Sequence, residues 1–318
     1  MFLTRRPTPR LLPLMLALGT AFCASAQAQS LVDLYTAAQS FDATYQSAKL
    51  QFDASLAKAD QAQAAVLPVA NLAMGTTRTN QEVVNAITTN YGTQTATLSA
   101  SQPLYRPANW ASYEQGKKSV DLAQAQLVQA EQDLIVRVSQ AYFDVLAATD
   151  TLTFVQAQKK AVAEQLAAAK RNFEVGTSTI TDSREAQAKY DLVIAQELAA
   201  NNDLQVKSLA LSQLVGRANA QPKPVKQPLE LPGVTPADMN QWVETSQAQS
   251  PAVQQAALAL EVAQLETRKA QAGHKPTLDL TGSYSAINNN GTSSSAADSR
   301  ANVATVGLSF NLPLFAGF

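Results

Sequence analysis

Cysteine and histidine are each present once, as Cys23 and His274, so no disulfide framework and no Cys- or His-clustered metal site can form within one chain. Aromatic residues make up 6% and charged residues 15% of the 318 positions. Lys and Arg number 24 against 25 Asp and Glu, so no basic field exists to hold a phosphate backbone, and nucleic-acid binding is not expected. No Gly-rich phosphate loop, nucleophile elbow or paired-carboxylate constellation stands out, which argues against an enzyme and against any bound cofactor or catalytic metal. What fills the chain is Ala, Val, Leu and Gln, the profile of long, closely packed helices.

The first segment reads as an export signal. Arg5, Arg6 and Arg10 precede the apolar run Leu11 to Phe22, and Ala26-Gln27-Ala28 supplies a small-residue cleavage site, so residues 1–28 are expected to leave as a secretory signal peptide. The apolar run is too short for a membrane span, and no later stretch reaches 18 apolar residues. Cys23 follows Phe22, where a lipoprotein signal would want a small residue, so lipid attachment is not expected.

Proline is missing from 108 to 221, and glycine occurs there only at 116, 176 and 216. Residues 108–175 therefore have the makings of one helix of roughly 100 Å. Leu127, Leu134, Val138, Ala141, Val145, Ala148, Leu152 and Val155 follow at steps of seven, four and three, the spacing of a coiled-coil seam. A return helix is expected over 182–215, closed by Gly216, and another over 31–66, stopped by Pro68. Such Ala-rich stripes bury too little area alone to offset chain entropy, so the helices need neighbours.

The segments between helices alternate with period two. Ala96, Leu98, Ala100, Gln102 and Leu104 oppose Thr95, Thr97, Ser99 and Ser101; Ala304, Val306, Leu308, Phe310 and Leu312 oppose Thr305, Gly307, Ser309 and Asn311 more cleanly. Leu278, Leu280 and Tyr284 oppose Asp279, Thr281 and Ser283, and 69–80 follows more weakly. Strands of this length, apolar on one face and small-polar on the other, suit a transmembrane barrel with a wet lumen, while a half-buried soluble sheet shows the same alternation. Arg78 and Asp279 stand either in such a lumen or at a strand end near headgroups, and Ser285–Arg300, rich in Asn, Ser and Gly, reads as an exposed loop.

The order helix, strand, loop, strand occurs twice. An offset of 208 sets Pro68 on Pro276, Leu50 on Leu258 and Gln39 on Gln247; an offset of 210 sets the Leu98 to Tyr105 stretch on Leu308 to Phe315. The expected organisation is a first repeat over 29–220 with a β-hairpin at 69–105, a Pro-rich linker over 221–236, and a second repeat over 237–318. That second repeat stops after its hairpin, which gives the sequence the look of a C-terminally truncated precursor.

Four stretches carry a resemblance: Ala272-Gly-His-Lys-Pro-Thr-Leu-Asp-Leu-Thr281, Val306-Gly-Leu-Ser-Phe-Asn-Leu-Pro-Leu-Phe315, Phe173-Glu-Val-Gly-Thr-Ser-Thr-Ile-Thr-Asp182 and Lys189-Tyr-Asp-Leu-Val-Ile-Ala195. Together with the repeat and the helix lengths, they make the chain similar to the TolC family of outer-membrane efflux and secretion channels. The resemblance implies a mainly α fold with transmembrane β structure: coiled-coil helices in an α-barrel, and four strands per subunit in the twelve-stranded barrel of a homotrimer. It implies outer-membrane lipid, a periplasmic adaptor and an inner-membrane transporter as partners, in Gram-negative type I secretion or multidrug efflux. It also places adaptor docking and gating at the turn Val175, Gly176, Thr177, Ser178, Thr179, Ile180, Thr181 and Asp182. Thr177 departs from the family's frequent leucine, and Asp182 matches a family residue that bonds a neighbouring hairpin in the closed state. Read without the family, the same turn needs only a permissive Gly176 and a cap from Asp182 or Thr181. A soluble periplasmic coiled-coil adaptor or spacer is the alternative function, and it leaves the duplicated strand pairs unexplained.

Overall fold

The computed structural model describes residues 29–82, 89–226, 228, 233–292, 295 and 297–315. The expected signal peptide and parts of the first hairpin loop and of the linker lie outside these residues. In chain order the elements are α1 (Leu31–Phe41), α2 (Ala43–Ala64), β1 (Val69–Gln81), β2 (Thr89–Tyr105), α3 (Pro107–Glu174), α4 (Ile180–Val215), α5 (Met239–Gln249), α6 (Pro251–Ala272), β3 (Thr277–Asn290) and β4 (Asp298–Asn311). The fold class is therefore mainly helical with four antiparallel strands in one sheet, in the order β1-β2-β3-β4. Two compact units, Met1–Gln46 with Glu131–Gly233 and Ser47–Ala130 with Val234–Phe318, cut across the sequence repeats.

In the first unit, Ser30 and Asp33 form a reciprocal capping box that starts α1. The helix then lays Leu34, Ala37 and Ala38 against Leu134, Val138, Tyr142 and Val145 of α3 and Leu211 and Val215 of α4. Tyr142, rather than the expected Ala141, is the buried residue at that turn of the seam. Its hydroxyl donates to the Lys223 carbonyl at 2.7 Å, tying down the chain that follows α4. Gly216 ends α4 in the left-handed region at φ 66°. A Cβ there would stand 2.3 Å from the Phe41 ring, so only glycine serves both the turn and the packing.

The single helix expected over 31–66 is broken at Asp42. Its backbone leaves the helix at ψ 117°, and its carboxylate accepts the Tyr45 N–H at 2.8 Å, restarting the chain as α2. Arg137 donates to both oxygens of that carboxylate at 2.8 and 2.9 Å. Asp42 is only 7% exposed, and the two-pronged guanidinium offsets its desolvation. Pattern reading cannot find this break, because the partner sits 95 residues away.

In the second unit, Lys118 pairs with Glu261 at 2.8 Å and Gln115 donates to Glu266 at 2.8 Å, joining the start of α3 to α6. Gly116 lets α2 approach α3 closely, since a Cβ there would meet the Ala59 Cα at 3.3 Å. The sheet lies beyond the ends of these helices in sequence, with α2 leading into β1, β2 into α3 and α6 into β3. Strands β3 and β4 pair as far as Asn290↔Asp298, so the loop expected over 285–300 shrinks to 291–297. The consecutive Asn288, Asn289 and Asn290 instead continue β3, in register with Arg300, Ser299 and Asp298 of β4.

Breaking the Arg137–Asp42 pair tests how much the first unit depends on it. Arg137→Ala leaves a buried carboxylate without its counter-ion and is expected to cost about 2 kcal/mol in urea unfolding. Hydrogen bonding from Arg137 holds the Asp42 carboxyl below its ordinary range. The native pKa is therefore the lower one, and its contribution is present above the unfolded value and lost as pH falls through the native one. Urea midpoints recorded from neutral to acid pH should fall less steeply for Arg137→Ala than for the parent chain.

Candidate functional site

The sheet has two chemically distinct faces because its register runs unbroken across all four strands up to Pro103, where β2 shifts against β3. One row runs Leu72↔Leu98↔Tyr284↔Ala304, the next Met74↔Ala96↔Ala286↔Asn302, and that before them Ala70↔Ala100↔Gly282↔Val306. Leu280, Leu308 and Phe310 extend the same face, and Val306 is 82% exposed on it. From Leu278 to Ala286 this apolar band is about 26 Å long at the usual rise per residue. The opposite face carries Asn71, Thr95, Thr97, Ser99, Thr281, Ser283, Ser285, Thr305 and Ser309, with Thr97 and Ser285 hydrogen-bonded across strands at 2.9 Å. Both outer strands, β1 and β4, have one unpaired edge.

Where the strands meet the helices, Asp279 is 8% exposed on the small-polar face. Arg106, the one residue between β2 and α3, donates to its two oxygens at 2.7 and 2.6 Å. Gln102 donates to the Val66 carbonyl at 3.1 Å at the same end. The two positions left open by sequence are thus separated: Asp279 is an ion-paired group at the helix end of the polar face, whereas Arg78 stands in register on the apolar face, at the hairpin-loop end. Sequence reading missed Arg106, whose partner lies 173 residues away.

The predicted tip residues lie in one tight connection in the first unit. Val175 follows the last residue of α3 and is 72% exposed. Gly176 takes φ 77°, and the Thr177 N–H donates to the Asn172 carbonyl at 2.8 Å, a bond that closes the end of α3. The Thr177 hydroxyl reaches the same carbonyl at 3.0 Å, and the Ser178 hydroxyl is buried without a partner. The cap of α4 is Thr179, not Asp182 or Thr181: its hydroxyl accepts the Asp182 N–H at 3.3 Å, and the Asp182 carboxylate accepts the Thr179 N–H at 2.8 Å. Those bonds hold the Asp182 carboxyl below its ordinary range. The helix accordingly starts at Ile180, itself half-exposed, with Thr181 on its exposed first turn. A Thr-x-x-Asp box was the available signal for this start.

Among the described residues, no group of three or more His, Cys, Asp or Glu is placed to hold a metal, and no helix is long and apolar enough to cross a membrane. His274 sits in the turn after α6, its N–H donating to the Gln271 carbonyl at 3.3 Å.

Residues 34–217 and 242–318 match the outer membrane efflux protein family. Over 313 residues the chain is 32% identical to outer membrane protein TolC of Vibrio cholerae, covering 97% of this chain and 70% of that protein. It is 31% identical to outer membrane protein TolC of Escherichia coli over 319 residues, covering 97% of this chain and 64% of that one. The Campylobacter jejuni CmeC outer membrane channel superposes with a TM-score of 0.75 at 16% identity, over 91% of this chain and 62% of that structure. The chain thus spans about two thirds of the length of these proteins. A match that extends from α1 through β4 and is interrupted only around the linker means that this chain belongs to the outer membrane efflux protein family.

Proposed function

We propose that this chain is a subunit of an outer-membrane exit duct for type I secretion or multidrug efflux. The two-faced sheet with two open edges is the observation that supports this reading most directly. In hydrocarbon, unpaired strand edges leave backbone groups without partners, so a four-stranded sheet must join other copies. Three copies complete a twelve-stranded barrel, with the apolar faces toward lipid and the Ser- and Thr-rich faces toward a water-filled lumen. Export follows cleavage after Ala28, and the helices form the periplasmic part. No nucleotide site is apparent in the sequence, so energy comes from an inner-membrane transporter, reached through a periplasmic adaptor. Adaptor and gating contacts fall at Val175 to Asp182, where Val175 and Ile180 offer apolar side chains to a partner and the capping box keeps the turn rigid.

Charge reversal of the sheet's polarity tests the membrane part. Val306→Arg puts a cation in the apolar band and is expected to cost about 2 to 4 kcal/mol of insertion, whereas Thr305→Arg, one residue along, is expected to be nearly neutral. Fractionation reads the result: heat-modifiable trimers in the outer membrane for the parent and Thr305→Arg, and their loss for Val306→Arg. Soluble periplasmic monomers of the parent chain would replace this reading with the spacer alternative.

The tip is tested separately. Val175→Asp with Ile180→Asp is expected to weaken pull-down of the purified adaptor on the order of ten-fold without affecting membrane insertion. Thr179→Ala removes one half of the capping box and should lower the protection of the first amides of α4 against hydrogen exchange by about 1 kcal/mol. Unchanged adaptor capture by the double variant would exclude the docking role.

A further inference from the structure

Beyond the apolar band the same face of the sheet changes character. The row after Met74 is Thr76↔Gln94↔Asn288↔Arg300, and beyond it Arg78 pairs with Gly92 and Asn290 with Asp298, the two pairs joined by the Gly92 N–H donating to the Asn290 side chain. These side chains line a recess of about 440 Å³ at the hairpin-loop end of the sheet. Arg78 and Arg300 are exposed there, and neither has an ion-pair partner among the described residues. Asp298 is the one acid lining the recess among the described residues. Asn290, an exposed lining residue, accepts the Gly92 N–H through its side-chain oxygen and carries an NH2 donor beside it. Gln94, Asn288 and Thr76 add further neutral donors.

Two guanidinium groups without an ion-pair partner among the described residues, at the margin of an apolar band, are the chemistry of a surface that sits at headgroup level. Arginine presents paired donors that match phosphate oxygens. The two arginines lie on opposite outer strands and one row apart, about 16 Å between backbones at ordinary strand spacing and rise, a span that two long guanidinium side chains narrow to that of a headgroup with two phosphates. The helices all join the other end of the sheet, so on the membrane reading proposed above this recess opens at the outer leaflet.

We propose that the recess is a seat for a diphosphorylated lipid headgroup of the outer leaflet, with Arg78 and Arg300 each taking a phosphate and the Asn and Gln amides hydrogen-bonding around them. This rests on the outer-membrane reading, and the test keeps the two apart. The full chain is floated with vesicles of phosphatidylcholine alone, with added diphosphoryl lipid A, or with added phosphatidylserine. The parent chain is expected to insert into all three and to favour those with lipid A. Arg78→Gln and Arg300→Gln are each expected to reduce that preference about five-fold, with no change on phosphatidylcholine alone. Unchanged insertion there also shows that the variants fold. Lys275→Gln with Arg268→Gln removes the same charge at the helix end and is expected to keep the preference. A double arginine variant that still favours lipid A, or a parent chain that favours phosphatidylserine equally, overturns the headgroup seat while leaving the duct intact. A parent chain that enters none of the vesicles overturns the membrane reading itself.

Discussion

A strand shifted by one residue against its neighbour presents its whole side-chain set to the opposite face, and this sheet has no tolerance for that exchange. The row Leu72↔Leu98↔Tyr284↔Ala304 is apolar on all four strands and its neighbour Asn71↔Ser99↔Ser283↔Thr305 is polar on all four, so a one-residue slip would place Leu98 among hydroxyls. Hydrophobicity alone cannot pin the register of small residues such as Ala96, Ala100 and Gly282. The helix end of the sheet does so instead. Arg106 clasps Asp279 from the start of α3, and Gln102 holds the Val66 carbonyl, so two strands are indexed against the helices that deliver them. The register shift between Pro103 and Tyr105 falls beside that clasp, where proline has no N–H to give the ladder.

The same economy of bulk governs the helices. Alanine at the seam brings backbones close, and the buried side chains of the first unit form one short cluster around Leu34, Leu134 and Leu211. Much of the remaining apolar surface, including Phe154, Leu198 and Val306, stays exposed in a single chain. Exposure on this scale, combined with the outer edges of β1 and β4, supports the proposal that neighbouring copies complete the stability of the subunit. In the trimeric duct proposed here, lipid and adjacent copies would cover these surfaces.

The strands were legible because period-two alternation is written locally, and the long helix because proline is missing for over a hundred positions. What escaped detection depends on residues far apart. Asp42 looks like an ordinary polar position until Arg137 is folded against it, and Arg106 looks like a junction residue until Asp279 arrives. At the turn between α3 and α4 the signal was local but ambiguous: three candidate cap residues lie within four positions, and only the reciprocal bond between Thr179 and Asp182 selects among them. Arg78 was undecidable for a different reason, since its face follows from register rather than from its own neighbours.

The repeat separates what local sequence controls from what packing controls. Helices α1 and α5 each have 11 residues and α2 and α6 each have 22, with a break at Asp42 in one copy and at Ser250, 208 positions later, in the other. The breaks are made by different means. Asp42 uses its carboxylate and a distant arginine; Ser250 makes no side-chain cap bond, and Pro251 enforces the interruption through its own missing N–H. Two unrelated devices at equivalent positions mean that the bend itself is the requirement. Burial diverges as well: Leu34 is fully buried in α1, while Trp242, its counterpart in α5, is 49% exposed. Helix lengths and breaks therefore follow from each repeat's own residues, whereas the burial of α1 depends on α3 and α4, the helices that follow the first hairpin.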